Sequence, residues 1–457
     1  MDGVTGSLRR ETALYAVAAT INGLVVLAFL PFMSRALSAA QAGEVGSLRT
    51  LSDIVAGIAV LGLPSGVLKF WQDGVTSRKA LLARSALLPL ATSIALGLLL
   101  LAFGEKVSSL LRLSSPGILV HGYLLGAGAA LVQVLLTPHR AEGRAWAYLA
   151  IQAVRGLASV AMLAILLGTS FPRVPAFMFS RWAPTLAAAA AALVLAIPLA
   201  KGGGRRPSSL MRFSLPLVPA GLALLILSSA DMVMLRAMSP DLRQSGYYEW
   251  ALSACMALTP FTAGFGMAWQ RHIFRAREER GTLGELGRGS MQFVVLTLWA
   301  ACLLALASPE IVRLVGGEPF LPAARVIPLL AGANAVYALY LVSQTGPLLS
   351  GQTSWIAFVT IAGAGANIAF NARLIPLYGA SGAAIATLGS NLFMAGSLFW
   401  AGRKAFPVSP PVILVMMLAP AALGPVAGLG AGPRIAVAAL WSGVSIWLIR
   451  ALGRDGA

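Results

Sequence analysis

Long apolar runs recur along almost the whole chain of 457 residues and limit its fold more than any other feature. Each run of about 18–25 residues can cross the ~30 Å hydrocarbon core of a bilayer as a helix. Lipid offers the backbone no hydrogen-bond partners, so spanning segments must form helices or a closed barrel. The runs lack the alternation of apolar and polar residues that is typical of a porin-type barrel. The pattern therefore predicts an all-α polytopic membrane protein.

The composition excludes a soluble protein, because 58% of the residues are hydrophobic and only 11% are charged. A formal net charge of +18 is also compatible with nucleic-acid binding. The basic residues, however, cluster between the apolar runs without interleaved aromatic residues. This placement favours a topological role and contact with anionic membrane lipids, and we expect no nucleic-acid partner.

The runs predict about 14 transmembrane helices, as two sets of six followed by a C-terminal pair. The first run resembles a signal peptide, but it is too long for one, and the charge of Arg35 precedes the small residues. We therefore expect an uncleaved first span. The predicted spans are 12–34, 44–66, 80–103, 117–137, 148–168 and 175–199, then 214–236, 247–269, 290–308, 322–349, 355–376 and 380–400, and finally 412–430 and 433–451.

The two sets of six spans are interpreted as a sequence repeat. Met33–Ser38 reads MSRALS, and Met234–Ser239 reads MLRAMS about 200 residues later. Because six is even, both copies start on the same side of the membrane, so the repeat is parallel. The predicted division is a first six-helix lobe at 1–200, a flexible cytoplasmic linker at 201–213, a second six-helix lobe at 214–405, and a two-helix hairpin with a tail at 406–457.

The distribution of basic residues predicts the orientation. If both termini are cytoplasmic, the cytoplasmic segments hold about 21 Lys and Arg and the opposite side about 11. We therefore expect a multi-pass protein of the cytoplasmic (inner) membrane with both termini in the cytoplasm.

A charged residue inside a predicted span costs roughly 2.5–3.5 kcal/mol at the helix centre on insertion scales and needs a wet cavity or a partner. The candidates are Arg49, Asp53, Arg155, Arg181, Asp231 and Glu249. Arg155 and Arg181 have no acidic residue in their own helices. With Arg49, they are the candidates for binding an anionic headgroup. Arg49 and Asp53 are spaced i, i+4, so mutual neutralisation is an equally good interpretation of that pair.

Asp231 and Glu249 lie near the outer ends of their predicted helices, and we expect solvated carboxylates there. The alternative is that these two residues and Asp53 couple transport to an ion.

Other motifs point to no catalytic chemistry. Cys255 and Cys302 lie inside apolar runs and are predicted to be buried, inert thiols. The three histidines are scattered, and no phosphate loop or Ser/His/Asp set is present. We predict no metal, no cofactor and no enzymatic activity. GxxxG pairs occur, but 48 glycines would produce about five by chance, so these pairs carry no information by themselves.

Three segments resemble the polysaccharide (O-antigen type) flippases of the multidrug/oligosaccharidyl-lipid/polysaccharide exporter superfamily. The segment Ser228–Asp231 resembles their seventh helix, although Met232 stands where a basic residue often follows. The most specific match is Asn367–Thr387, which resembles the corner between their helices 11 and 12. The third segment is the start of the chain, Tyr15–Asn22 through Leu30-Pro31, Arg35–Ser38 and Gly43. The resemblance covers spans 1–12.

The resemblance implies two six-helix lobes around a central cavity, alternating access, and a polyprenyl-diphosphate-linked glycan as cargo. Membrane lipids and other polysaccharide-assembly membrane proteins are the further partners it suggests. A lipid II flippase and a multidrug exporter of the same superfamily remain alternatives. A polytopic glycan polymerase or ligase is less favoured, because the predicted external loops are only about 5–15 residues long.

Overall fold

The computed structural model describes residues 20–21, 23–73, 75–201, 204–205, 209–259, 262, 283–403 and 431–454. Within these ranges the regular structure is helical, apart from one isolated bridge between Thr76 and Arg205. The predicted all-helical class is therefore confirmed.

The chain forms two compact units, Met1–Ala237 and Met238–Ala457. The boundary between the two units lies near the end of the long helix that follows the predicted linker. The two predicted six-helix lobes rest on the sequence repeat and stay a prediction. The helices of the first unit, the last of which ends one residue beyond it, are α1 Gly23–Ala36, α2 Ala39–Ala59, α3 Leu63–Gln72, α4 Arg78–Leu110, α5 Leu119–Leu135, α6 Thr137–Ala141, α7 Ala145–Leu167, α8 Arg173–Ala196, α9 Leu210–Ser214 and α10 Val218–Met238.

The second unit contains six further described helices. They are α11 Arg243–Cys255, α12 Leu283–Ile311, α13 Ile327–Ser343, α14 Thr345–Leu349, α15 Thr353–Gly402 and α16 Ala431–Arg454.

Eight helices in the described ranges are long and apolar enough to cross a membrane, and α2 with α3, bent by 41°, would make a ninth. The predicted number of about 14 is not confirmed. The predicted span 412–430 lies outside the described residues, as do most of the first eleven residues of span 12–34 and the second half of span 247–269. The predicted spans 355–376 and 380–400 both fall within α15, which breaks at Gly379.

The helix boundaries follow from local chemistry. Ser38, the last residue of the MSRALS motif, starts α2 through a capping box: its hydroxyl accepts from the Gln41 amide at 3.3 Å, and the Gln41 side chain accepts from the Ser38 amide at 3.0 Å. Gly62, with φ +67°, provides the left-handed conformation between α2 and α3. Gly379 breaks α15 with φ +54° and ψ −127°.

Glycines let α5 lie directly against α2. A Cβ atom on Gly122 would lie 2.7 Å from the carbonyl oxygen of Leu48, and one on Gly126 would lie 2.6 Å from that of Ser52. Both distances are far below van der Waals contact, so only hydrogen at these two positions allows the approach. The Gly122/Gly126 pair thus fixes the position of α2, the helix that carries Arg49 and Asp53.

Three loops meet at one end of the first unit. Trp71 donates through Nε1 to the Glu142 carboxylate at 2.7 Å, and Arg78 pairs with the same carboxylate at 2.9 Å. Arg205 of the predicted linker exchanges backbone hydrogen bonds with this end, accepting from the Ser77 amide at 2.9 Å and donating to the Val75 carbonyl at 3.0 Å. At Arg205 the linker backbone therefore forms a bridge to the α3–α4 loop, and the flexibility of the linker stays a prediction.

Arg236, the arginine of the second motif copy, binds backbone carbonyls at a helix end. Arg236 is 2% exposed and donates through Nε to the Leu111 carbonyl at 2.7 Å, and it also bonds the Arg112 carbonyl. These carbonyls follow the C-terminus of α4, where a cation is favoured. Glu44 lies within electrostatic range of Arg236 and accepts from the Ser114 amide.

In the second unit, α16 is attached to α12 through charge. Arg434 donates through Nη1 to Glu310 at 2.9 Å and to the Leu306 carbonyl at 3.2 Å. Cys255 and Cys302 are each 2% exposed, which confirms the prediction of buried thiols.

Candidate functional site

A cavity of about 200 Å³ inside the first unit contains the two arginines that the sequence singled out. Arg155 of α7 and Arg181 of α8 both line it. The remaining lining residues come from α1, α5, α7 and α8: Val25, Val26, Phe29, Leu125, Gly156, Ser159 and Thr185. The cavity is called the arginine cavity below.

Helical spacing and one glycine shape the arginine cavity. Ser159 and Thr185 each lie one turn after an arginine and donate to its backbone carbonyl, at 2.9 Å and 2.7 Å. The hydroxyl protons are thereby used within the helices, so the guanidinium groups are the main donors toward a guest. A Cβ on Gly156 would lie 2.5 Å from Val25 Cγ2, so this glycine lets α1 close one wall.

Aromatic contacts hold Arg181 in place. Its guanidinium carbon lies 4.5 Å from the centroid of the Phe29 ring, a cation–π geometry. The next residue, Trp182, donates through its indole nitrogen to His121 Nδ1 of α5 at 3.0 Å. These two contacts orient the part of α8 that carries Arg181.

Asp53 of α2 interacts electrostatically with both Arg49 and Arg181. Its side chain is exposed. The sequence offered Arg181 no acidic partner in its own helix; the structure supplies one from another helix, 128 residues earlier. Arg49 and Asp53 do not line the arginine cavity, whose own two arginines give it a formal charge of +2.

The expectation of solvated carboxylates at Asp231 and Glu249 is wrong. Asp231 is 3% exposed and Glu249 is 1% exposed. Glu249 accepts a hydrogen bond from Ser253 at 3.3 Å, one turn later in the same helix. Both side chains point into protein, where neighbouring groups replace water. Neither lines the arginine cavity, and a role in ion coupling stays a prediction.

Sequence reasoning missed the residues that position the site. Gly122, Gly126, Gly156, His121 and Trp182 act through close approach or a hydrogen bond to another helix. The only available signal was the GxxxG spacing of Gly122 and Gly126, which chance explains equally well.

Within the described residues, no group of three or more His, Cys, Asp or Glu side chains is arranged to hold a metal ion.

The carboxyl group of the loop residue Asp73 has a shifted pKa. Slight burial alone would raise its pKa, but hydrogen bonds from the Thr76 hydroxyl at 2.6 Å and from the Thr76 and Val75 amides at 2.9 Å outweigh this and lower the pKa. Asp73 organises the α3–α4 loop.

No protein-family model matches the sequence, and a comparison with curated proteins finds no match. Solved structures do match in fold. One is "Lipid II flippase MurJ, inward closed conformation", with a TM-score of 0.72 at 12% identity over 97% of each chain. A multidrug resistance MATE family transporter of the MOP superfamily in an inward-facing conformation gives 0.63 at 16% identity, covering 84% of this chain and 97% of the other. The eukaryotic MATE transporter AtDTX14 gives 0.56 at 13% identity, covering 92% and 100%.

These structural neighbours are flippases and transporters rather than enzymes. The chain therefore shares the multi-pass helical fold of these flippases and transporters.

Proposed function

We propose that the protein is a flippase that carries a polyprenyl-diphosphate-linked oligosaccharide across the cytoplasmic membrane for cell-surface polysaccharide synthesis. The observation that carries this proposal is the convergence of Arg155 and Arg181 on one cavity within a fold shared with lipid and drug exporters. The translocated partner is the lipid-linked glycan, with membrane lipids around it; other polysaccharide-assembly membrane proteins are further partners of the proposed pathway.

The chemistry of the headgroup explains the arginines. A diphosphate and its sugars cannot enter hydrocarbon, so they need a polar passage with compensating charge. A guanidinium remains charged and offers two parallel donors to phosphate oxygens. The +2 charge of the site matches a diphosphate better than a neutral or cationic guest.

Asp53 has a defined place in this scheme. Asp53 interacts with Arg49 and Arg181 and partly neutralises them. A bound diphosphate competes with Asp53 for these arginines, so binding and release are coupled to the freedom of the Asp53 carboxylate. Coupling to an ion through Asp53, Asp231 or Glu249 belongs to this proposal.

Two alternatives come from the same superfamily. A lipid II flippase is favoured by the similarity to MurJ over 97% of both chains and would also place an anionic lipid headgroup against the arginines. A multidrug exporter is favoured by the MATE neighbours, but organic cations would be repelled by the net positive site.

The experiment is translocation in proteoliposomes. The purified protein is reconstituted with a labelled undecaprenyl-diphosphate glycan, and exposure of the glycan to an external glycosidase is followed. We expect the wild-type protein to translocate the glycan and the Arg155→Ala/Arg181→Ala double variant to lose almost all activity. The corresponding double lysine variant should keep partial activity, because lysine keeps the charge but lacks the two parallel donors of the guanidinium group.

Arg173 provides the matched control. It lies on α8 two turns before Arg181, is exposed, and donates to the Leu167 carbonyl at 2.8 Å outside the cavity. Arg173→Ala should translocate like wild type. Wild-type protein that transports an organic cation but no lipid-linked glycan would contradict the proposal in favour of drug export. Normal transport by the Arg155/Arg181 double alanine variant would contradict the headgroup assignment.

A further inference from the structure

A second cavity adjoins the arginine cavity and differs from it in character. It is a groove of about 360 Å³ between α7 and α8. Alanines open it: Ala150 and Ala158 on α7, and Ala187 and Ala191 on α8. Small side chains keep the two helices from filling the space between them. Apart from Arg155, the side chains along this α7–α8 groove are apolar.

Arg155 belongs to both cavities and marks where they meet. On one side it lines the arginine cavity with Arg181, Ser159 and Thr185. On the other it lines the groove about midway between Ala150 and Ala158. The structure thus places one cation between a cavity with a second arginine and an otherwise apolar groove, which is the arrangement that a phosphate attached to a hydrocarbon chain requires.

The dimensions and opening of the groove suit part of a lipid chain. From Ala150 to Ala158 the wall spans about 12 Å at 1.5 Å per residue, close to half of the ~30 Å hydrocarbon core. Val154, which lines the groove, is 66% exposed, so the groove is open along its side. A chain can therefore enter sideways from the bilayer while its headgroup enters the arginine cavity.

We propose that the α7–α8 groove binds the headgroup-proximal part of the isoprenoid chain of the translocated lipid, with the attached diphosphate at Arg155. This inference rests on the proposed function and adds the route of the tail, which runs between two helices of the first unit. The occupant is the tail of the substrate rather than a bulk phospholipid, because Arg155 lines both the groove and the headgroup site.

Binding in the groove selects by shape. Lipid tails are as apolar as the groove, so transfer from bilayer to groove brings little hydrophobic gain. The advantage comes from packing of the chain against the alanine surface and from holding the diphosphate near Arg155. Filling the groove should therefore weaken binding of the tailed lipid and leave binding of the headgroup unchanged.

The test uses the full-length protein in nanodiscs and two probes, undecaprenyl diphosphate and inorganic diphosphate. Ala187 and Ala191 are exposed, so the Ala187→Phe/Ala191→Phe variant fills the groove without entering the core. We expect about a tenfold weaker affinity for undecaprenyl diphosphate, the scale of overpacking a formed site, and an unchanged affinity for inorganic diphosphate. Ala190→Phe is the control, since Ala190 is exposed on α8 and does not line the groove.

Ala158→Leu fills the groove from the opposite wall and should give the same separation between the probes. Wild-type affinity for undecaprenyl diphosphate in both filled variants would overturn the tail assignment. So would an equal loss in Ala190→Phe, or displacement of undecaprenyl diphosphate from the wild type by excess phosphatidylglycerol. Wild-type protein that binds neither probe would instead overturn the proposed function itself.

Discussion

The contact between α5 and α2 is the most direct structural prediction, because two glycine positions carry it. Replacing both Gly122 and Gly126 by alanine places a methyl group 2.7 Å from the Leu48 oxygen and 2.6 Å from the Ser52 oxygen. Both neighbours are backbone atoms, which cannot rotate away as a side chain can. The whole of α2 must shift to accept the two methyl groups.

The magnitude follows from two opposing effects. Overpacking costs about 1–3 kcal/mol at each site. Alanine regains about 0.5–1 kcal/mol per helical position by reducing the freedom of the unfolded backbone. Taking about 2 kcal/mol lost and about 1 kcal/mol regained at each site, the double variant should lose about 2 kcal/mol of stability. For a unit of this size, that corresponds to a melting temperature lower by about 5 °C.

The assay is thermal unfolding of the purified protein in detergent, followed by the loss of the monodisperse peak. The matched control is Gly221→Ala in α10, where a Cβ would meet no atom within 4 Å. That variant should melt at the wild-type temperature or slightly above it, because alanine only reduces the conformational entropy of the unfolded backbone. If Gly122→Ala/Gly126→Ala melts at or above the wild-type temperature, the close approach of α5 and α2 is refuted.

Three further predictions concern other parts of the chain. Because the pKa of Asp73 is lower in the folded protein than in the unfolded chain, its stabilisation of the α3–α4 loop is present above about pH 4 and is lost as the pH falls through the folded pKa. Hydrogen exchange at the Val75 and Thr76 amides, corrected for intrinsic rates, should become faster over that pH range. Asp73→Asn should abolish the pH dependence. Gly379→Ala forces a side chain into φ +54°, with its Cβ 2.5 Å from Gln244 Oε1, and should destabilise the protein by about 1–3 kcal/mol in thermal unfolding; an unchanged melting temperature would contradict the break in α15. For topology, an impermeant thiol reagent added outside cells should label a Ser115→Cys variant and not a Lys201→Cys variant, both positions being exposed. Cys255 and Cys302 are buried and should contribute little background. Labelling of Lys201→Cys without labelling of Ser115→Cys would contradict cytoplasmic termini.

The length and hydropathy of the runs were enough to predict an all-helical membrane protein, because lipid excludes most other backbone solutions. The same logic identified Arg155 and Arg181, since charges within apolar runs are costly and must be compensated. Their convergence could not be predicted, because it depends on how α7 and α8 pack against each other and against α1.

The partners of the charged residues were the main error. Spacing within a helix correctly suggested that Arg49 and Asp53 interact, but it could not show that Asp53 also interacts with Arg181, which lies on a different helix. The positions of Asp231 and Glu249 near predicted helix ends suggested water, whereas tertiary packing buries both. The anchoring of Arg205 to the α3–α4 loop was also missed, because glycines around a backbone bridge look like a flexible linker.

The central claim is that the arginine cavity binds a diphosphate headgroup, and equilibrium binding of undecaprenyl diphosphate to the protein in nanodiscs tests it most directly. Each charge-assisted hydrogen bond contributes about 1.5–3 kcal/mol. Arg155→Gln/Arg181→Gln should therefore bind the lipid at least about 100-fold more weakly than wild type. Arg173→Gln, on the same helix as Arg181 and outside the cavity, should bind normally. Equal affinities for wild type and the double variant would contradict the account.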